Sequence, residues 1–175
     1  IGTVQFFSAQ NDVEGLRLLI DHVITRHYPE VQEADNPTLA LLDKVMQRQA
    51  ELIASWQMVG FIHGVMNTDN MLLSGETIDY GPCAFMDTYD PETVFSSIDH
   101  GGRYAYQNQP GIAHWNLACL AQALVPLLDT SEEEAVEIAK QALDRFPAYF
   151  LAANLTGLRG KLGLTSEQEA DETLA

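Results

Sequence analysis

Apolar side chains recur at three- and four-residue steps over several long stretches of this chain, and that period predicts helices. Leu16, Leu19, Ile20, Val23 and Ile24 follow a helix-capping Asn11-Asp12. Their helix is expected to end near His27, because Pro29 biases Tyr28 away from the helical region. The clearest stripe is Leu41, Leu42, Val45, Met46, Gln49, Leu52, Ile53 and Trp56. It opens at Asn36-Pro37-Thr38 and has a stop at Gly60, and it predicts the buried spine of the domain. A third stripe holds Ile112, Trp115, Leu117, Leu120, Leu124, Leu127 and Leu128, with Pro126 bending or ending it. The run Thr130-Ser131-Glu132-Glu133-Glu134 begins a fourth helix, carried on by Val136, Ile138, Ala139, Ala142, Leu143 and Phe146 and broken by Pro147. Further helices are expected over 148–162 and from Ser166 to Ala175. Trp56 and Trp115 lie on apolar stripes and read as core.

Between the helices the pattern shortens. Residues 3–7 are β-prone and predict a short strand or an extended entry. Phe61-Ile62-His63 is a short apolar run. Met71-Leu72-Leu73 and Thr77-Ile78-Asp79 read as a small hairpin turning at Gly75. Residues 80–110 hold Gly81, Pro82, Pro91, Gly101, Gly102 and Pro110 with little regular period, and an irregular stretch of that length is usually functional. The fold class is therefore mainly α with a small β-hairpin.

Composition narrows the function. Lys+Arg number 9 against 25 Asp+Glu, for a net charge of -16. Such a surface repels phosphate backbones and anionic membranes, which argues against nucleic-acid and membrane partners. No apolar run is read as reaching the ~18 residues of a membrane span. Phosphate binding by so acidic a chain favours a metal held by acidic residues over local positive charge. Cys83 and Cys119 stand far apart without metal-ligand spacing, and read as buried free thiols of a reducing compartment. The opening Ile1-Gly2-Thr3-Val4 has no basic leader and no initiator Met, and reads as the interior of a longer chain. Glu132-Glu133-Glu134 is a solvated helix start, without the glycine and alternating ligands of an EF-hand.

The chemistry concentrates in His63-Gly64-Val65-Met66-Asn67-Thr68-Asp69-Asn70, followed by Asp79-Tyr80-Gly81. Folding the hairpin back brings Asp79 near Asn70. One carboxylate and one amide oxygen there suit a hard cation such as Mg²⁺, which accompanies phosphates. The spacing of His63 and Asn70 matches the kinase pattern H-R-D-x-x-x-x-N, and Asp79-Tyr80-Gly81 stands where D-F-G would. Gly64 replaces the pattern's Arg and Val65 its catalytic Asp, while Asp69 can bring a carboxylate to the same site. His63 reads as structural, packing against the loop and bonding its backbone. Asp99, His100 and Arg103 read as an ordered loop with local ion pairs, against a contribution to a substrate or nucleotide surface. Asp87 and Asp90 flank Tyr89 and read as solvated, with a peptide-docking role left open.

These runs, with Thr77-Ile78-Asp79-Tyr80-Gly81-Pro82, Tyr89-Asp90-Pro91, Asp99-His100-Gly101-Gly102-Arg103-Tyr104, Asn108-Gln109-Pro110 and Trp115-Asn116-Leu117, resemble the selenoprotein O family in order and spacing. The agreement runs from about residue 1 to 128 and weakens beyond. The resemblance implies a protein-kinase-like fold that binds ATP in a flipped orientation and transfers AMP to Ser, Thr or Tyr hydroxyls of proteins. It implies Asp69 as the base, Asn70 and Asp79 as ligands of Mg²⁺ or Mn²⁺, and Asp79 also close to the nucleotide. On this reading residues 1–175 are a C-lobe fragment, with its loops at 61–82 and a helical remainder at 110–175. The N-lobe lies upstream and a redox cysteine motif downstream, so the fragment alone is expected to be inactive. The implied home is the bacterial cytoplasm, or the mitochondrion for eukaryotic relatives. The alternatives are a kinase-type phosphotransferase and a non-catalytic, nucleotide-binding pseudokinase module.

Overall fold

The computed structural model describes residues 1–166. Six helices and one two-stranded antiparallel sheet make up the regular structure of that span: α1 (Gly2–Ala9), α2 (Val13–His27), α3 (Pro37–Val59), β1 (Phe61–Ile62), β2 (Ala84–Phe85), α4 (Gln109–Leu128), α5 (Glu132–Leu143) and α6 (Phe146–Leu162). The helix expected from Ser166 onward lies outside the described residues.

The long stripe becomes α3, the axis of the fold. Leu42, Val45, Met46 and Ile53 on it are fully buried. Its first turn is set by Asn36, whose side chain accepts from the Leu39 N–H at 3.0 Å and donates to the Leu128 carbonyl at 2.8 Å. One amide thereby caps α3 and ties it to the end of α4. Its last turn closes on Gly60 at φ +67°, a left-handed conformation that glycine adopts without cost. From α3, packing extends to α6 on one side and α4 on the other, with α5 laid on α4. Asp43 fastens α6 to α3, accepting from the Tyr149 hydroxyl at 2.7 Å and pairing with Arg145 at 3.1 Å.

Several expectations change. Residues 3–7 are not a strand: they lie in α1, where Val4 is 1% exposed and the helix packs on α2 and α4. Burial of that face overrides the β-propensity of the segment. The hairpin over 71–79 shrinks to a single Met71–Thr77 bridge around Gly75, and the sheet instead pairs Phe61 with Phe85 and Ile62 with Ala84. Phe146 does not continue α5. It begins α6, with Pro147 in the first turn, where a missing N–H costs nothing. Pro126 stays inside the last turn of α4. The span Tyr106–Leu128 is in fact long and apolar enough, by length and composition, to cross a membrane. In this fold it is a core helix, with Ala113, Leu117, Leu120 and Leu124 buried. Trp115 is 49% exposed rather than core, and Arg103 stacks over its ring at 4.7 Å. Both cysteines are free and half-buried.

Candidate active site

The two strands close a long loop, residues 63–83, that contains Asp69, Asn70 and Asp79. Its entry is fixed from the helices behind it. Gln109, fully buried at the start of α4, accepts from the His63 N–H at 3.0 Å and donates to the Phe61 carbonyl at 2.9 Å. Further carbonyls of the loop receive side-chain donors. Gln49 reaches Leu72 at 2.6 Å and Asn116 reaches Met66 at 2.8 Å. The Trp56 indole N–H donates to the Thr77 hydroxyl at 3.1 Å.

His63 is 1% exposed and stacks near Trp56, with ring centroids 5.5 Å apart. Its Nδ1 accepts from the Val65 N–H at 3.3 Å, so Nε2 carries the proton that is shared with the Ile78 carbonyl at 2.7 Å. The imidazole therefore holds together residues 63–65 and the residue immediately before Asp79. Asn70 is tied to the same stretch, donating from Nδ2 to the Val65 carbonyl at 2.9 Å. With the NH₂ engaged, Oδ1 is the atom left to meet a ligand. Asp79 is exposed, adopts φ +57°, and makes no hydrogen bond or ion pair among the described residues. Asn70 and Asp79 are thus both tethered to 63–65, one by its own amide and the other through Ile78.

Asp69 is exposed in the short 3-10 turn Thr68–Asn70 and lies against the first turn of α1. Val65, where the kinase pattern has its Asp, is joined to His63 and Asn70 through its backbone N–H and carbonyl. Among the described residues no three of His, Cys, Asp and Glu gather where one ion could take them all. The donors the sequence assigned to an ion, Asn70 and Asp79, are instead one amide and one carboxylate. That set fits a hard cation whose remaining positions are filled by phosphate oxygens and water, the manner in which Mg²⁺ is commonly held.

The loop that follows is ordered by its own bonds. Asp99 accepts from the Arg103 and Tyr104 N–H groups at 2.9 and 2.8 Å, in place of the ion pairs expected there. Gln57 donates to the Tyr106 carbonyl at 2.9 Å, and the Tyr106 hydroxyl donates to the Gln57 carbonyl at 2.6 Å. Burial, with Tyr89 beside it, raises the pKa of that hydroxyl. Asp87 and Asp90 are exposed.

A long helix, a two-residue strand, an Asp-Asn loop and an Asp-Tyr-Gly turn follow in this order, as in a kinase-like C-lobe. Comparison with known proteins is specific. A family profile described as "Protein adenylyltransferase SelO" matches residues 1–175, and the chain belongs to the SelO family. It is 62% identical over 175 residues to a protein of Rhodopseudomonas palustris strain HaA2 named "Protein nucleotidyltransferase YdiU". Proteins of that name from Agrobacterium fabrum and Geobacillus kaustophilus are 60% and 59% identical over 174 residues. The chain spans about 36% of the length of each of these relatives.

Proposed function

We propose that the full-length protein carrying this chain is a metal-dependent protein adenylyltransferase, moving AMP from ATP to Ser, Thr or Tyr hydroxyls. The observation that carries this reading is the double tether on residues 63–65, which ties down Asn70 and the residue before Asp79 while Asn70 Oδ1 and the Asp79 carboxylate, like that of Asp69, accept no hydrogen bond among the described residues. Those two groups would hold Mg²⁺ or Mn²⁺. When bound, the ion neutralises phosphate charge and lowers the barrier to attack at phosphorus.

Asp69 orients the acceptor hydroxyl and takes its proton. As the hydroxyl oxygen bonds to the α-phosphorus, the α–β phosphoanhydride bond breaks and pyrophosphate leaves with that electron pair. His63 makes no contact with reacting atoms in this scheme. It keeps Asp79 at a fixed distance from the Asn70 turn through Ile78. Membership of a family described as protein adenylyltransferases supports the transfer of AMP, and relatives named protein nucleotidyltransferases support the class.

The test uses the full-length protein with Mg²⁺ or Mn²⁺ and ATP labelled at either the α- or the γ-phosphate, beside Asp79→Ala. Protein labelled from the α-position, and unlabelled in the variant, is the expected result. Label arriving only from the γ-position would establish a phosphotransferase instead, and no label from either would leave a nucleotide-binding module.

A further inference from the structure

The Asp69 carboxylate accepts no hydrogen bond among the described residues and is exposed, yet on the side of α1 it has no room to spare. A methyl group on Gly2 would sit 1.8 Å from Asp69 Oδ1, 3.0 Å from its Cγ and 3.3 Å from its Cα. The first of these is far inside van der Waals contact, so no side chain fits at position 2 while Asp69 keeps its place. The same end of α1 is bonded to the same turn, since the Ile1 nitrogen donates to the Met71 carbonyl at 2.6 Å. Behind it Val4 anchors the helix in the core at 1% exposure. The first turn of α1 is therefore a fixed wall against which the carboxylate rests, and the bare Cα of Gly2 sets how close it comes.

We propose that Gly2 is a positioning residue for Asp69, its missing side chain admitting the carboxylate to the place from which it meets the acceptor hydroxyl. The inference rests on the reading of Asp69 as the base. An alanine at position 2 pushes that carboxylate outward while leaving Asn70, Asp79 and their tethers to residues 63–65 intact. The consequence is a defect in the chemical step without a defect in nucleotide capture, because a displacement of about 1 Å at a reacting group costs on the order of 100-fold.

A double-variant cycle in the full-length protein tests this, with AMP transfer followed from α-labelled ATP over a range of ATP concentrations. Gly2→Ala is expected to lower kcat by about 10- to 100-fold with KM for ATP within about 2-fold. In an Asp69→Ala background the same change is expected to cost little further, because Oδ1 and Cγ, the two atoms it comes closest to, are gone. Gly111→Ala in α4, where an added methyl meets nothing within 4 Å, is the control that keeps full activity. A Gly2→Ala loss of equal size in both backgrounds, or a rise in KM that accounts for the whole effect, would overturn the proposal. Retention of full rate by Asp69→Ala alone would overturn the base assignment, and is read from that single variant. Melting temperature carries the test if Gly2→Ala folds poorly: its loss must be recovered by adding Asp69→Ala, and no recovery counts against the wall.

Discussion

Asn70 and Asp79, the two proposed ligands, are held by opposite means. Asn70 is held by its own side chain, bonded to the Val65 carbonyl at 2.9 Å. Asp79 has no side-chain partner among the described residues, and its direction comes from the backbone alone, through Ile78 and a φ of +57°. Substituting the first would remove a proposed ligand and loosen a loop together. Substituting the second would remove a proposed ligand and leave the loop standing. Half of the proposed site is thus built with structural bonds, and half relies on a backbone conformation that few residues with side chains adopt.

The sharpest break of this comparison is at Asp79. Asp79→Ala is expected to cut AMP transfer by about 10³-fold or more, since the proposed site then lacks the carboxylate that would hold the ion against the phosphates. Asp79→Gly should lose as much activity while matching or exceeding the parent in Tm, because glycine accepts φ +57° freely. Calorimetry beside the transfer assay separates the two effects. Asn70→Ala comes next, with about 10²-fold lower transfer and, unlike Asp79→Gly, a stability loss of about 1 kcal/mol from the orphaned Val65 carbonyl. Equal Tm values for Asn70→Ala and Asp79→Gly would erase the distinction drawn here.

His63→Phe sharpens the comparison from a distance. Phenylalanine keeps the packing on Trp56 and deletes the bonds to Val65 and Ile78. Transfer should fall about 10-fold, with apparent metal affinity rather than ATP affinity weakened, as read by Mn²⁺ titration of the rate. The smallest effect lies away from the site. Burial pushes the Tyr28 hydroxyl, which donates to the Leu73 carbonyl, up to about 12. A folded value raised above the unfolded one means stability that is intact below pH 10 and lost as pH climbs toward 12. Tyr28→Phe should flatten the alkaline limb of the denaturation midpoint by about 1–2 kcal/mol.

Much of the fold was legible because helices carry a long, redundant period. Leu41 to Trp56 on α3, and the Asn36 and Gly60 that bound it, are local signals that agree with one another. The strands were not legible. Ala84 and Phe85 become a strand only because Phe61 and Ile62 lie beside them, and nothing within two residues announces that pairing. Residues 3–7 failed for the reverse reason, a β-prone segment recruited into a helix by burial of Val4. At the site, residue types and spacing pointed to Asp69, Asn70 and Asp79, whereas the parts that hold them were hidden. Gln49 reads as one polar interruption in an apolar stripe, and Gln109 as one residue of the Asn108-Gln109-Pro110 run. Each is 0% exposed and bonded to a carbonyl some way along the chain. Gly2 reveals its meaning only once Asp69 is seen beside it.

The loop of residues 63–83 is secured largely through its carbonyls, which accept from the side chains of Gln49, His63, Asn70 and Asn116. Few of its own N–H groups are donated in return; those of His63, Val65, Asn70, Met71 and Gly75 are the exceptions in the irregular part. Order and solvent protection therefore part company here. Amide hydrogens across much of this segment should exchange with deuterium almost as fast as in a loose coil, although the atoms around them are held in place. A labelling experiment alone would class the segment as mobile. Side-chain order parameters for Asn70 and Asn116 would show a rigid frame whose fastenings leave no isotopic trace on the backbone they hold.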